Sequence, residues 1–333
     1  MSVLVLQSFG RENEYKRAIL TILSYFAYVP TPYSNSKALL FTDNPNYFGP
    51  YLSDLPVEYV LLTPEKIRTM RGEIDFLHRM KIAMIEEAFE RSEGPLLYAD
   101  SDTFFLSDPS SLMRSLSPEK SYMHLREYSF DYLKTLKMPA AATFHEFVEL
   151  IETTTFRLAD GSAFNVTADM FSWNAGVMLF HPSHRRFIPD VYALTEQFYP
   201  ATRNHASEQY AFSLVLQTHT DLQACEPVIY HYWYRIKKQI ADVFLDKQLS
   251  ALKELDLERK LGIVRGWTKQ IPLLFEEHEI ALRDNAVQAF NENRFSEGYR
   301  WTFRALTKSP ISDKVFVKDV LYHTKRWLRS KRK

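Results

Sequence analysis

The sequence predicts an α/β fold: a mostly parallel sheet flanked by helices, followed by a C-terminal helical appendage. Three observations carry this. Short apolar runs alternate with helical periodicity between residues 3 and 99, the order that builds a parallel sheet. One run, Leu96 to Ala99, is bounded by Gly94 and Pro95 and ends on Asp100 and Asp102, as a buried strand with ligands at its carboxyl end would. From about Ala251 onward only helical pattern remains. The expected division is therefore 1–250 for the α/β domain and 251–333 for the helical region.

Taken in order, Val3-Leu4-Val5-Leu6 is a first buried strand. Glu12 to Phe26 is a helix, with Tyr15, Ile19, Ile22 and Phe26 at three- and four-residue spacing. Ala38 to Thr42 is a second strand, closed by the turn signal Asp43-Asn44-Pro45, and Glu58 to Leu62 a third. Ile74 to Phe89 reads as a strong helix with Leu77, Met80, Met84 and Ala88 in one stripe, stopped by Gly94 and Pro95. Past the Asp-x-Asp strand, Ser121 to Leu125 is a further strand, and Asp160-Gly161 marks a hairpin. Trp173 to Phe180 is a small-residue turn entering a buried strand. Arg185 to Phe198 and Ala206 to Leu216 are helical, and Pro227 to His231 is a last short strand.

The bulk properties narrow the function. With 333 residues, 46% hydrophobic and 25% charged, the chain is an ordinary globular one. Its formal net charge is zero, so no global field recruits nucleic acid, and no nucleic-acid partner is expected. Cys225 is the only cysteine, which excludes an intrachain disulfide. The start of the chain reads as a strand, not a leader, and no apolar run approaches the roughly 20 residues of a membrane span. A cytoplasmic protein is expected. Its tail, Ser312 to Lys333, is basic and amphipathic, with Phe316, Val320, Trp327 and Leu328 able to share a face. It is either an element lying on a membrane surface, making the protein peripheral, or a solvated last helix.

Asp100 and Asp102 are placed to share a hard divalent cation, which takes oxygen ligands and is often completed by substrate phosphates. Asp-x-Asp alone is common; the buried strand before it gives it weight. The segment resembles the Asp-x-Asp motif of GT-A glycosyltransferases, which transfer a sugar from a nucleotide diphosphate. Along residues 1 to 240 the chain is similar to the family that includes glycogenin and bacterial lipopolysaccharide glucosyl- and galactosyltransferases.

That resemblance implies a Rossmann-like GT-A fold and a set of roles. Tyr15 matches an aromatic of the nucleotide-base pocket, although it could equally pack helix against sheet. Lys81 matches a basic residue that reaches the donor phosphates, the alternative being a lysine that snorkels to solvent. Ser101 falls with the donor contacts. Asn174-Ala175-Gly176-Val177 is similar to the family's Asn-Ser-Gly-Val turn facing the transferred sugar, and Asp169 precedes it. Glu208-Gln209 stands where the family has Asp-Gln, between sugar and acceptor. His231 matches a third metal ligand and Lys237 a phosphate-binding lysine, while the family's glycine after that histidine is Tyr234 here and its Pro-Trp is missing.

The implied chemistry is a retaining transfer from a nucleotide-sugar donor, with uridine diphosphate the expected carrier, to a glycan or lipid-linked acceptor. The ligand set suits Mn²⁺, or Mg²⁺. Glu208, Gln209 and Asp169 are the candidate catalytic residues. A sugar nucleotidyltransferase would carry a Gly-rich phosphate loop, whereas Gln7 to Arg11 holds one glycine. An inactive binding or scaffold protein on the same sheet stays open.

Overall fold

The computed structural model describes residues 2–136, 142–308 and 314–330. The chain forms two compact units, Met1–His231 with Ala251–Arg265, and Tyr232–Ser250 with Gly266–Lys333.

The strands are β1 (Ser2–Ser8), β2 (Ser36–Thr42), β3 (Val57–Leu61), β4 (Leu96–Ala99), β5 (Thr103–Phe105), β6 (Lys120–Met123), β7 (Arg126–Ser129), β8 (Phe156–Arg157), β9 (Ala163–Phe164), β10 (Phe171–Trp173), β11 (Val177–Phe180), β12 (Asp221–Ala224) and β13 (Ile229–His231). All lie in the first unit. Seven form the main sheet in the order β12-β6-β11-β4-β1-β2-β3. Every neighbouring pair is parallel except those of β11, which runs antiparallel to both β4 and β6. The mostly parallel α/β sheet predicted from the sequence is therefore present.

Strand order reverses about β1, which has β2 on one side and β4 on the other. Crevices at such switch points collect ligands at the carboxyl ends of the strands. Here those ends are Ser8 and Ala99, and Asp100 follows the second directly.

Burial explains the strands. Val3 to Leu6 and Leu96 to Ala99 are fully enclosed, since helices cover both faces and no polar face is tolerated. The helix Arg79–Glu90 sends Met80, Met84, Ile85 and Ala88 into the core with Leu96 and Tyr98. The helix Glu12–Tyr28 buries almost all its residues from Tyr15 onward, including Ile19, Ile22 and Phe26. The Asp160-Gly161 hairpin is present between β8 and β9, with Gly161 at φ +84°, a conformation glycine adopts without strain.

Three local expectations need correction. The helix expected from Ile74 begins at Arg79, and a separate helix, Pro64–Arg71, precedes it. Between them Gly72 and Asp75 take positive φ. Phe76 is buried by stacking on Tyr199, which extended the apolar pattern beyond the helix, while Leu77 is exposed. The edge strand β12 was not expected, because Asp221-Leu222-Gln223-Ala224 is paired on one side only and lacks an apolar run. Third, the tail's apolar face does not lie open. In the helix Lys314–Ser330, Phe316 joins a core with Leu282, Ala286, Phe290 and Ala305; Val320 packs against it, and Trp327 lies on Phe295 and Tyr299. Of the four residues expected to share a surface, Leu328 is the exposed one, at 49%.

No described helix is long and apolar enough to cross a membrane.

Candidate active site

The site is assembled by register. β4 delivers Asp100 at its carboxyl end, and the turn Asp100-Ser101-Asp102 leads into β5. β13 pairs antiparallel with β5, which sets His231 opposite Thr103 and so beside Asp102. β11 pairs antiparallel with β4, Val177 against Ala99, so the turn ahead of β11 lies over Asp100. The Asp100 amide donates to the Gly176 carbonyl at 2.8 Å. A strand end, an antiparallel strand and a turn, the last two distant in sequence, thus meet at one edge.

The Asp-x-Asp turn is braced from the helix Glu12–Tyr28. Thr21 Oγ1 donates to the carbonyls of Ser101 and Thr103, both at 2.9 Å, and Ser101 Oγ donates to Glu14 Oε2 at 2.7 Å. Thr103 Oγ1 closes the turn onto the Asp100 carbonyl. Tyr98 donates to Asp100 Oδ1 at 2.7 Å.

Asp100, Asp102 and His231 each offer a ligand atom, and these atoms lie within 4.8 Å of one another. His231 Nε2 is 3.3 Å from Asp102 Oδ1 and 3.9 Å from Asp100 Oδ2. Ligand atoms about 2.1 Å from a shared ion sit about 3.0 to 4.2 Å apart in octahedral geometry; the two His231 distances fall in that range, and the donor set suits a divalent cation. Asp102 and His231 are buried, and Asp100 is partly open. Gly176 is required by this arrangement: a Cβ there would stand 2.0 Å from His231 Cε1.

Lys81 is enclosed, with 4% exposure, between Glu208 Oε1 at 3.1 Å and Asp100 Oδ2 at 3.4 Å, and it donates to the Ala175 carbonyl. Burial acts to lower its pKa, but the Asp100 and Glu208 carboxylates outweigh this and hold it above the usual lysine value. It is a fixed buried cation, not a snorkelling one.

Gln209 accepts from the Ala175 amide and donates to Glu127 Oε2 and Ser172 Oγ. Asn174 accepts from the Gly176 amide and from His231 Nδ1, and donates to Glu127 Oε1. Glu127, on β7, therefore gathers Ser172, Asn174 and Gln209. Nothing in the local sequence singled it out, since a lone glutamate in Arg126-Glu127-Tyr128-Ser129 reads as a strand's polar face. Its signal is positional, a carboxylate a few residues past the carboxyl end of β6. Tyr98 and Glu14 were missed similarly: one looked like core and the other like a solvated helix face.

The other expected residues are placed less centrally. Tyr15 is buried against Tyr47 and Phe48, and its hydroxyl donates to Asp43 Oδ1 at 2.7 Å. Burial first, then the Asp43 carboxylate, pushes that hydroxyl up to about 12. Ser101 spends its hydroxyl on Glu14. Asp169 is exposed on the turn before β10 and is not joined to the Glu127 group. Lys237 belongs to the second unit, on the helix Arg235–Gln248, with its ammonium over the Tyr234 and Phe275 rings.

No family model and no curated protein matches the chain. It is similar in fold to several solved structures. With mouse xyloside xylosyltransferase 1 it shares 13% identity at a TM-score of 0.43, over 68% of this chain and 85% of that one. With the galactosyltransferase LgtC, solved with donor and acceptor sugar analogues, it shares 12% identity at a TM-score of 0.46, over 78% and 98%. With the glycosyltransferase GlyE of Streptococcus pneumoniae TIGR4 it shares 12% identity at a TM-score of 0.45, over 81% and 65%.

Proposed function

We propose that the chain is a metal-dependent glycosyltransferase that moves a sugar from a nucleoside diphosphate donor, with uridine as the expected base, to a glycan or glycolipid acceptor with retention at the anomeric carbon. One observation carries this: Asp100, Asp102 and His231 converge, with a buried Lys81 beside them, at the carboxyl edge where strand order reverses.

Transfer breaks the bond between the anomeric carbon and the diphosphate oxygen, forms one to an acceptor oxygen, and releases the acceptor proton. Negative charge collects on the departing diphosphate. Asp100, Asp102 and His231 would hold a Mn²⁺ or Mg²⁺ ion, which supplies Lewis-acid stabilisation of that charge. Lys81, already charged and fixed, adds a preorganised cation with no reorganisation at the moment of transfer. Glu208 and Gln209 stand with Ala175, where the sugar is expected, and Asp169 is assigned to the acceptor side. Tyr15, Ser101 and Ala175 are assigned to the donor wall under the same reading.

A lipid-linked acceptor at the cytoplasmic face of a membrane belongs to the same proposal. The Lys314–Ser330 helix turns Leu321, Tyr322 and Leu328 outward together with Lys318, Lys325 and Arg329. Apolar and cationic side chains on one open face suit an anionic lipid surface.

The test is a screen for sugar release from nucleotide sugars with Mn²⁺, on wild type and on Asp102→Ala. Release that the substitution abolishes is expected. Binding of a nucleotide without turnover of any donor would favour the inactive-scaffold alternative.

A further inference from the structure

Resting on the metal reading above, we infer that Glu127 and Asn174 form a relay that fixes the His231 ring with its proton on Nδ1 and Nε2 turned toward Asp100 and Asp102. Both are positioning residues, acting through His231.

The orientation of the Asn174 amide is settled by two partners whose roles cannot reverse. The Gly176 backbone N–H can only donate, and it meets Asn174 Oδ1 at 3.0 Å. The Glu127 carboxylate accepts, and its Oε1 meets Asn174 Nδ2 at 3.1 Å. The oxygen of the amide therefore faces His231 Nδ1, at 2.8 Å. An oxygen that only accepts requires a proton on Nδ1, and a neutral imidazole then carries its lone pair on Nε2. Nε2 is the nitrogen that faces Asp102 and Asp100. Metal-ligating histidines are commonly oriented by a partner on the other ring nitrogen. Here that partner is an amide, held in turn by a carboxylate.

Asn174 is 4% exposed, and both ends of its amide are engaged within the protein. Its geometry fits holding the ring better than meeting a sugar. Glu127 is fixed independently by Ser172 and Gln209, so it does not follow Asn174 if the amide turns. Removing the Glu127 carboxylate leaves the Gly176 amide as the remaining hold on the Asn174 orientation, so the ring is expected to mix some Nε2–H form with the Nδ1–H form.

The experiment is a long-range ¹H–¹⁵N spectrum of metal-free, ¹⁵N-histidine-labelled full chain at pH 8, with His231 assigned by comparison with His231→Gln. The wild-type ring is expected as the Nδ1–H tautomer. Glu127→Ala should admit a fraction of the Nε2–H form. Mn²⁺ titration by electron paramagnetic resonance should follow, weakening about 10- to 100-fold in Glu127→Ala. A wild-type Nε2–H ring overturns the relay, whether or not Glu127→Ala folds. So does a Glu127→Ala ring unchanged from wild type. An Nδ1–H ring in a protein that takes no Mn²⁺ supports the relay and sinks the metal reading instead.

Discussion

Gly176→Ala places one methyl group where the structure has no room for it. The added carbon would stand 2.0 Å from Cε1 and 2.2 Å from Nδ1 of His231, against an ordinary contact of 3.4 Å or more. The imidazole must retreat by about 1.4 Å, or β11 must shift away from β4, whose backbone bond to Gly176 is 2.8 Å. Either movement exceeds the tolerance of about 0.2 Å that a metal–ligand distance allows. Overpacking of this kind costs about 1–3 kcal/mol, a fall in Tm of a few degrees to about ten in a unit of this size. The larger effect falls on the ion, with Mn²⁺ affinity reduced at least about 10-fold. Thermal melts without metal, followed by a Mn²⁺ titration read by electron paramagnetic resonance, separate the two. A variant that melts and binds Mn²⁺ like wild type would refute the contact between Gly176 and His231 from which the figures derive.

Lys81→Met should destabilise the first unit by about 3–5 kcal/mol in denaturant melts, because it leaves the buried Glu208 uncompensated; Lys81→Met with Glu208→Leu should recover most of this. His184 is held down to about 4, chiefly by burial, so the unfolded chain binds its proton first. The folded ring's low pKa contributes stability that is complete above the unfolded value near 6.5 and is lost as pH falls toward 4. His184→Gln should flatten the fall in Tm over that window, and an unchanged slope would assign it to other groups. Replacing the exposed Leu321, Tyr322 and Leu328 with serine should leave Tm unaltered and weaken co-sedimentation with anionic vesicles; equal sedimentation of both proteins would remove the basis for a lipid surface. Trp327→Ala should instead lower Tm, since the ring packs on Phe295 and Tyr299.

The sheet was legible because its strands are buried on both faces. Val3 to Leu6 and Leu96 to Ala99 needed no polar alternation, so each apolar run was itself the signal. The three candidate metal ligands were legible for another reason: Asp100, Asp102 and His231 sit at strand ends, where apolar runs stop abruptly. What joins them was hidden. The register of β13 on β5 and of β11 on β4 is a tertiary fact, and it alone brings His231 to Asp102 and Gly176 to His231. Glu127 was invisible because its three donors come from β10, the turn after it and the helix Ser207–His219. The Trp327 face misled because an amphipathic helix shows only that one face seeks apolar company. Here Phe290, Phe295 and Tyr299 of the same unit supply it.

The central claim is a donor site that needs a metal, and a thermal-shift titration with nucleoside diphosphates, each with and without Mn²⁺, tests it most directly. A ligand at 100 times its Kd adds about 2.7 kcal/mol to the folded state. The expected result is stabilisation by one nucleotide only when Mn²⁺ is present, and its loss in Asp102→Asn. Folded wild-type protein whose melting is unmoved by every nucleotide, with or without Mn²⁺, would contradict the claim.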